Sequence, residues 1–65
     1  MAPFYQFEVH LRNKKTGKWE FFSYIEGDWE EIKESVDYYL EKYETDVTIS
    51  NGWQHRTYHY GEEND

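Results

Sequence analysis

Three histidines, a spaced row of carboxylates, a high density of aromatic rings and three serines are the side chains here with chemistry to offer. His55 and His59 stand four residues apart, a spacing that on a helix would let both grip one metal ion. On a strand the same spacing separates them by about 13 Å, too far for a shared ion. The surrounding pattern is that of a strand, so no metal site is expected. His10, His55 and His59 read instead as partly buried histidines whose ring N–H groups find carboxylate or backbone partners. Such groups make stability or association sensitive to pH near their ordinary pKa of about 6.5.

Nucleophilic catalysis has little to build on. There is no cysteine, and Ser23, Ser35 and Ser50 sit in no recognisable motif. The carboxylates show no paired spacing suited to acid–base work, and no glycine-rich phosphate loop is present. A chain of 65 residues leaves little room for a closed pocket of about 300 Å³ or more. The expectation is a protein with no catalytic residues, no cofactor and no enzymatic activity.

The carboxylates are more informative in a row. Glu30, Glu34, Asp37 and Glu41 fall at positions i, i+4, i+7 and i+11. On a helix they lie within about 60° of one another, forming a ridge about 16 Å long. Like charges so placed repel by a few tenths of a kcal/mol per pair. Such a ridge could imitate a run of phosphates in a basic groove; the plainer reading is a solvated helix face. The rest of the charge is uneven too. Residues 1–18 carry Arg12, Lys14, Lys15 and Lys18 against Glu8 alone, whereas residues 19–65 carry three basic against thirteen acidic side chains. A net charge of −7 repels nucleic acid and anionic membranes over most of the surface, and favours a basic protein partner or simple solubility.

Five elements would position these groups. Phe4 to Arg12 alternates, with Tyr5, Phe7, Val9 and Leu11 on one face and Phe4, Gln6, Glu8, His10 and Arg12 on the other, which predicts a strand. Lys14-Lys15-Thr16-Gly17 predicts a turn with Gly17 left-handed in a three-residue loop. Lys18 to Glu26 then returns as a strand. Pairing Lys14 with Lys18 sets Arg12 against Glu20, Leu11 against Phe21 and Phe7 against Ile25. A one-residue slip would turn Phe22 and Tyr24 inward instead. Asp28 suits a helix N-cap with Glu31 three residues on. Trp29, Ile32, Val36, Tyr39, Leu40 and Tyr43 make one apolar stripe at about 100° per residue, so a helix of about four turns is expected to end near Tyr43 or Glu44. Asp46 to Ser50 is a short strand with Val47 and Ile49 on one face, and Trp53 to Tyr60 is the returning strand. A three-residue loop Ser50-Asn51-Gly52 would set Ile49 against Trp53 and Val47 against His55, and turn His55 and His59 toward the helix.

The sum is an α+β fold of ββαββ order, a four-stranded antiparallel sheet with one helix on one face. Residues 1–61 form the domain and 62–65 an acidic tail. One helix covers only one sheet face. The open face is expected to show Phe4, Phe22, Tyr24, Tyr58 and Tyr60 among Gln6, Glu8, His10, Arg12, Glu20 and Arg56. An aromatic patch of that breadth on a small domain marks a binding site or a dimer seam. RNA-binding sheets also expose aromatics, but they need a basic surround.

The chain is 22 % aromatic despite a mean hydropathy of −1.17, which fits a folded chain rather than a disordered acidic one. With no disulfide it needs a dense core or a partner. The start Met1-Ala2-Pro3-Phe4 lacks a basic, apolar leader, and no stretch approaches the roughly 18 apolar residues of a membrane span. In size, acidity, lack of cysteine and aromatic density the chain resembles the small inhibitors that phages and plasmids encode: anti-restriction, anti-CRISPR, nuclease-inhibitor and immunity proteins. That resemblance is one of type and carries no residue across. It implies a cytoplasmic protein of a bacterial host that blocks a basic site on a larger protein. The contact residues expected are Glu30, Glu34, Asp37 and Glu41 on the helix and Phe22, Tyr24, Tyr58 and Tyr60 on the sheet. The alternatives are a ligand- or peptide-binding module on the open face, or a structural homodimer through it.

Overall fold

The computed structural model describes residues 3–61; the acidic tail at 62–65 lies outside them. Two strands, β1 (Tyr5–Arg12) and β2 (Trp19–Gly27), precede helix α1 (Trp29–Tyr43), and strands β3 (Val47–Ser50) and β4 (His55–Tyr58) follow. The strands form one antiparallel sheet in the order β2-β1-β3-β4. The expected ββαββ architecture is therefore present. The two hairpins meet along β1 and β3, where Val9 lies opposite Ile49 and Leu11 opposite Val47.

The helix starts where its sequence dictates. Asp28 is extended, and its carboxylate accepts the Glu31 N–H at 2.9 Å, satisfying one of the free donors of the first turn. Gly27 makes the approach possible. Its φ is +146°, and a Cβ there would meet the Glu31 side chain at 2.5 Å. The helix ends at Glu44, which is left-handed at φ 50° and donates its N–H to Leu40.

The core is the single layer between helix and sheet. Phe7, Val9, Ile32, Val36, Leu40, Val47, Ile49 and Tyr58 are buried, with Tyr5, Leu11, Ile25, Trp29 and Tyr39 packed around them. Every residue of the expected helix stripe points inward or lies partly buried. Trp29 meets Tyr5 and Phe7 edge-on at 6.0 and 6.4 Å.

Two insertions change the faces of the outer strands. The first turn holds four residues between Asn13 and Lys18, not three. The Asn13 side chain accepts the N–H groups of Lys15 and Thr16, and Asn13 N–H bonds to Lys18. Arg12 therefore lies opposite Trp19 and Leu11 opposite Glu20, in place of the expected Arg12–Glu20 and Leu11–Phe21 pairs. A bulge restores the register: Val9 faces Ser23 while the next residue, His10, faces Phe21. Phe22 is the extra residue. It turns to the helix side and packs edge-on against Tyr39 and Tyr43, each at 5.2 Å. Phe22 is thus not on the open face, and Phe21 is.

The second hairpin turns through Asn51–Gln54, so Ser50 pairs with His55 and Val47 with Tyr58. Asn51 sets this length. Its side-chain oxygen accepts from Trp53 and Gln54 N–H at 2.8 Å, and its amide donates to the Gln6 carbonyl on β1. The shift from the expected three-residue loop is odd, so β4 exchanges faces. Tyr58 and Arg56 point to the helix side, and His55 and Thr57 to the open face. The exchange buries Tyr58 where the expected register would have buried His55, and an imidazole costs more to desolvate than a phenol with an apolar ring. The histidines are consequently half-exposed or exposed, not core residues.

Candidate functional site

Pairing places the open-face residues in ranks across the sheet. Glu26 stands beside Gln6; Tyr24 beside Glu8, Ser50 and His55; Phe21 beside His10, Thr48 and Thr57; and Trp19 beside Arg12. Three aromatic rings of this face stand on β2. Tyr24, Phe21 and Trp19 are 73 %, 53 % and 39 % exposed. Phe21 meets His10 at 5.7 Å and Tyr24 at 5.2 Å, while the Arg12 guanidinium lies 5.8 Å from the Trp19 ring. The bulge creates this row. In an unbroken strand Phe21 and Tyr24 would sit on opposite faces, because side chains alternate with period two.

Charge grades along the same face. Glu8 and Glu26 lie toward one end, with a Gln6–Glu26 hydrogen bond of 3.0 Å. Arg12 lies at the other, next to the Lys14, Lys15 and Lys18 of the first turn. Asp46 anchors this basic end, with its carboxylate 3.5 Å from Arg12 Nη1 and 3.4 Å from His59 Nδ1, and accepting Tyr60 N–H at 3.0 Å. Burial pushes the Asp46 carboxyl up, but the Tyr60 N–H, His59 and Arg12 outweigh it and hold it below the usual aspartate value. The Tyr60 hydroxyl donates to Glu44, which holds its proton more tightly than an ordinary phenol.

The expected site residues divide accordingly. Tyr24 is on the open face. Phe22 and Tyr58 are on the helix side, and Tyr60 lies past the end of β4, tied to Asp46 and Glu44. Trp19 and Phe21 belong to the open face and are not among the expected contact residues, and His55, expected toward the helix, lies on the open face too. The adjacent pair Phe21-Phe22 is the signal that could have found them, since two large apolar neighbours break a period-two pattern.

The helix row stands as spaced. Glu30, Glu34, Asp37 and Glu41 are all exposed on the outer side of α1. Among the described residues no ion pair reaches them. The two lysines of the helix turn elsewhere: Lys33 lies 4.8 Å over the Tyr58 ring, and Lys42 5.4 and 5.6 Å from the rings of Tyr38 and Tyr43. Those rings, with the phenol hydroxyl of Tyr38 first among them, favour the charged form of Lys42. The ridge and the open sheet face point in opposite directions across a slab whose shortest extent is 16 Å.

A third feature is an open cleft of about 590 Å³ at the acidic end, lined by Phe4, Gln6, Asn51, Trp53 and Gln54 among others. Trp53 is 92 % exposed there. The Asn51 amide already serves Gln6, Trp53 and Gln54, which leaves the buried Gln54 Oε1 as a polar atom of the lining with no hydrogen-bond partner among the described residues. No group of three or more metal-binding side chains occurs among the described residues, and no described helix is long and apolar enough to cross a membrane. Set against protein families, curated proteins and solved structures, the chain matches none of them.

Proposed function

We propose that this chain is a small, acidic, non-enzymatic binding protein that lays its helix on a basic surface of a larger protein and blocks it by occlusion and charge mimicry. One observation carries the reading. Among the described residues, four carboxylates run along the outer face of α1 without a counter-ion, although Lys33 and Lys42 share that helix and are drawn off to tyrosine rings. A solvated helix gains by pairing such charges within itself, so an unneutralised ridge suits a partner that brings the cations. Long-range attraction from a net charge of −7 would speed encounter with a basic site.

The test begins with a photo-crosslinking side chain in place of Glu34, used in the source cells to identify the contacted protein. Binding of that protein is then measured by calorimetry at about 50 mM and about 300 mM salt, across which the Debye length shrinks about 2.5-fold. The wild type should lose affinity about tenfold or more, and a Glu34→Gln, Asp37→Asn, Glu41→Gln variant should bind weakly at both. Affinity equal in wild type and variant would refute the reading. A peptide- or ligand-binding module is the second reading, supported by the exposed row Trp19, Phe21 and Tyr24. It predicts that Tyr24→Ala abolishes binding while the helix variant leaves it intact.

A further inference from the structure

The open sheet face has an aromatic centre and unlike charges at its two ends, and we infer that its occupant is a second copy of this chain, stacked face to face and antiparallel. This goes beyond the proposed role of the helix, which stays outward in such a pair.

The arrangement follows from which two-fold axis suits the face. Two sheets can stack with strands nearly aligned, about an axis either along or across the strands. An axis along the strands lays the β2 rings over His55, Thr57 and His59, and sets Arg12 over Arg12 and Glu8 over Glu8. Like charges meet, and the rings meet polar groups. An axis across the strands lays β2 on β2. Phe21 and Tyr24 of one copy then meet those of the other, the end holding Arg12, Lys14, Lys15 and Lys18 covers the end holding Glu26, and Glu8 comes over His10. Arg12 and the turn lysines of one copy then oppose Glu26 of the other, and the self-complementary patch is what a two-fold interface requires. Tyr24 and Phe21, at 73 % and 53 % exposed, regain the apolar surroundings that one helix cannot supply to both faces.

Area sets the strength. The eight, nine, four and four residues of β1 to β4, at about 3.3 Å each in strands about 4.8 Å apart, give a face of about 400 Å². That is about half the roughly 800 Å² per partner of a stable standard interface. The dimer is therefore a concentration-dependent one, with a dissociation constant of micromolar order and sensitivity to salt.

Sedimentation velocity from about 1 µM to about 500 µM should show a monomer passing to a dimer, with dissociation raised severalfold at high salt. Phe21→Ala with Tyr24→Ala should abolish the dimer; both side chains are exposed, and Tyr24→Ala alone serves if the double variant is unstable. Zero-length carbodiimide coupling reads the orientation. Glu26 and Lys18 are about 26 Å apart along β2, beyond the reach of a bond within one chain. A bond from Glu26 to Lys14, Lys15 or Lys18, seen between isotopically light and heavy copies, is expected in the dimer. Glu26→Lys should weaken association several-fold, and Lys15→Glu with Lys18→Glu in the same chain should restore it. A monomer throughout the range, a dimer indifferent to loss of both rings, or a dimer lacking the Glu26–lysine bond would each overturn the inference.

Discussion

Phe21 and Phe22 are chemically identical neighbours on β2, and the bulge gives them opposite fates. Phe22 is 37 % exposed and touches two tyrosines of the helix at 5.2 Å. Removing that side chain forfeits about two-thirds of a full phenylalanine burial, about 1–2 kcal/mol. Part of two edge-on ring contacts goes with it, each worth about 0.5–1.5 kcal/mol. Phe22→Ala should therefore destabilise by about 2–3 kcal/mol. Phe21 is 53 % exposed, and its ring neighbours His10 and Tyr24 are themselves in contact with solvent. Phe21→Ala should cost about 1 kcal/mol or less in the monomer. At about 4–8 °C per kcal/mol for a domain of this size, the two variants should melt about 5–10 °C apart, Phe22→Ala lower. Urea unfolding at equal m-values and low micromolar protein is the assay, since a change in m would signal an altered end state. Removing one phenylalanine of the pair is a stricter version. It leaves Ser23 opposite Val9 and a phenylalanine opposite His10, so every other β1–β2 pair survives, and stability should match Phe22→Ala. Equal losses, or a larger loss at Phe21, would refute the bulge, because an unbroken strand would put Phe21 in the core.

Four shorter expectations follow from other contacts. Asp46→Asn should lower stability at neutral pH and flatten its acid dependence. The native carboxyl is held below the ordinary aspartate value by Tyr60 N–H, His59 and Arg12, so its contribution is present above the unfolded value and fades as pH falls through the folded one, which urea titrations at about pH 2–6 would resolve. Gly27→Ala should destabilise by more than about 1 kcal/mol in thermal melts, through both the positive φ and the clash with Glu31. Asp28→Ala should cost about 1 kcal/mol by loss of the N-cap, while Asp28→Ser should recover most of it, measured by circular dichroism. Glu34→Gln should leave the melting temperature unchanged or raised, because it relieves repulsion along the helix without removing any ion pair.

The helix was legible in the sequence because each of its signals is local. Asp28, Glu31 and the stripe from Trp29 to Tyr43 act within a turn or two, and nothing distant competes with them. Strand β1 was equally plain, since its alternation has no interruption and both of its edges are paired. The outer strands were not, and for one physical reason. A strand's two faces are exchanged by any odd change in loop length, and loop length is set by side chains acting across space. Asn51 serves two turn N–H groups and reaches β1 at Gln6; that second bond exists only once β1 and β3 are paired, so Asn51-Gly52 reads locally as a tighter hairpin than it forms. Asn13 likewise takes a residue into the first turn, and the bulge at Phe22 gives it back.

These exchanges decide what each surface can bind. Had β4 kept the expected register, Tyr58 would face outward and the open face would carry rings on both edges. With Tyr58 in the core, β3 and β4 present Ser50, His55 and Thr57 beside the buried Thr48, and the row of three rings stands on β2. A face that is aromatic on one edge and polar on the other cannot bury its rings against a copy turned about the strand axis. It can do so against a copy turned across it, and that same turn opposes the basic hairpin to Glu26. In such a pair the two helices lie outward on opposite sides, each with Glu30, Glu34, Asp37 and Glu41 free. A bivalent acidic protein results, and its grip on a partner with two basic sites would rise with effective concentration rather than with new contacts. Monomeric variants would then keep the one-to-one contact of the ridge while losing only the added avidity.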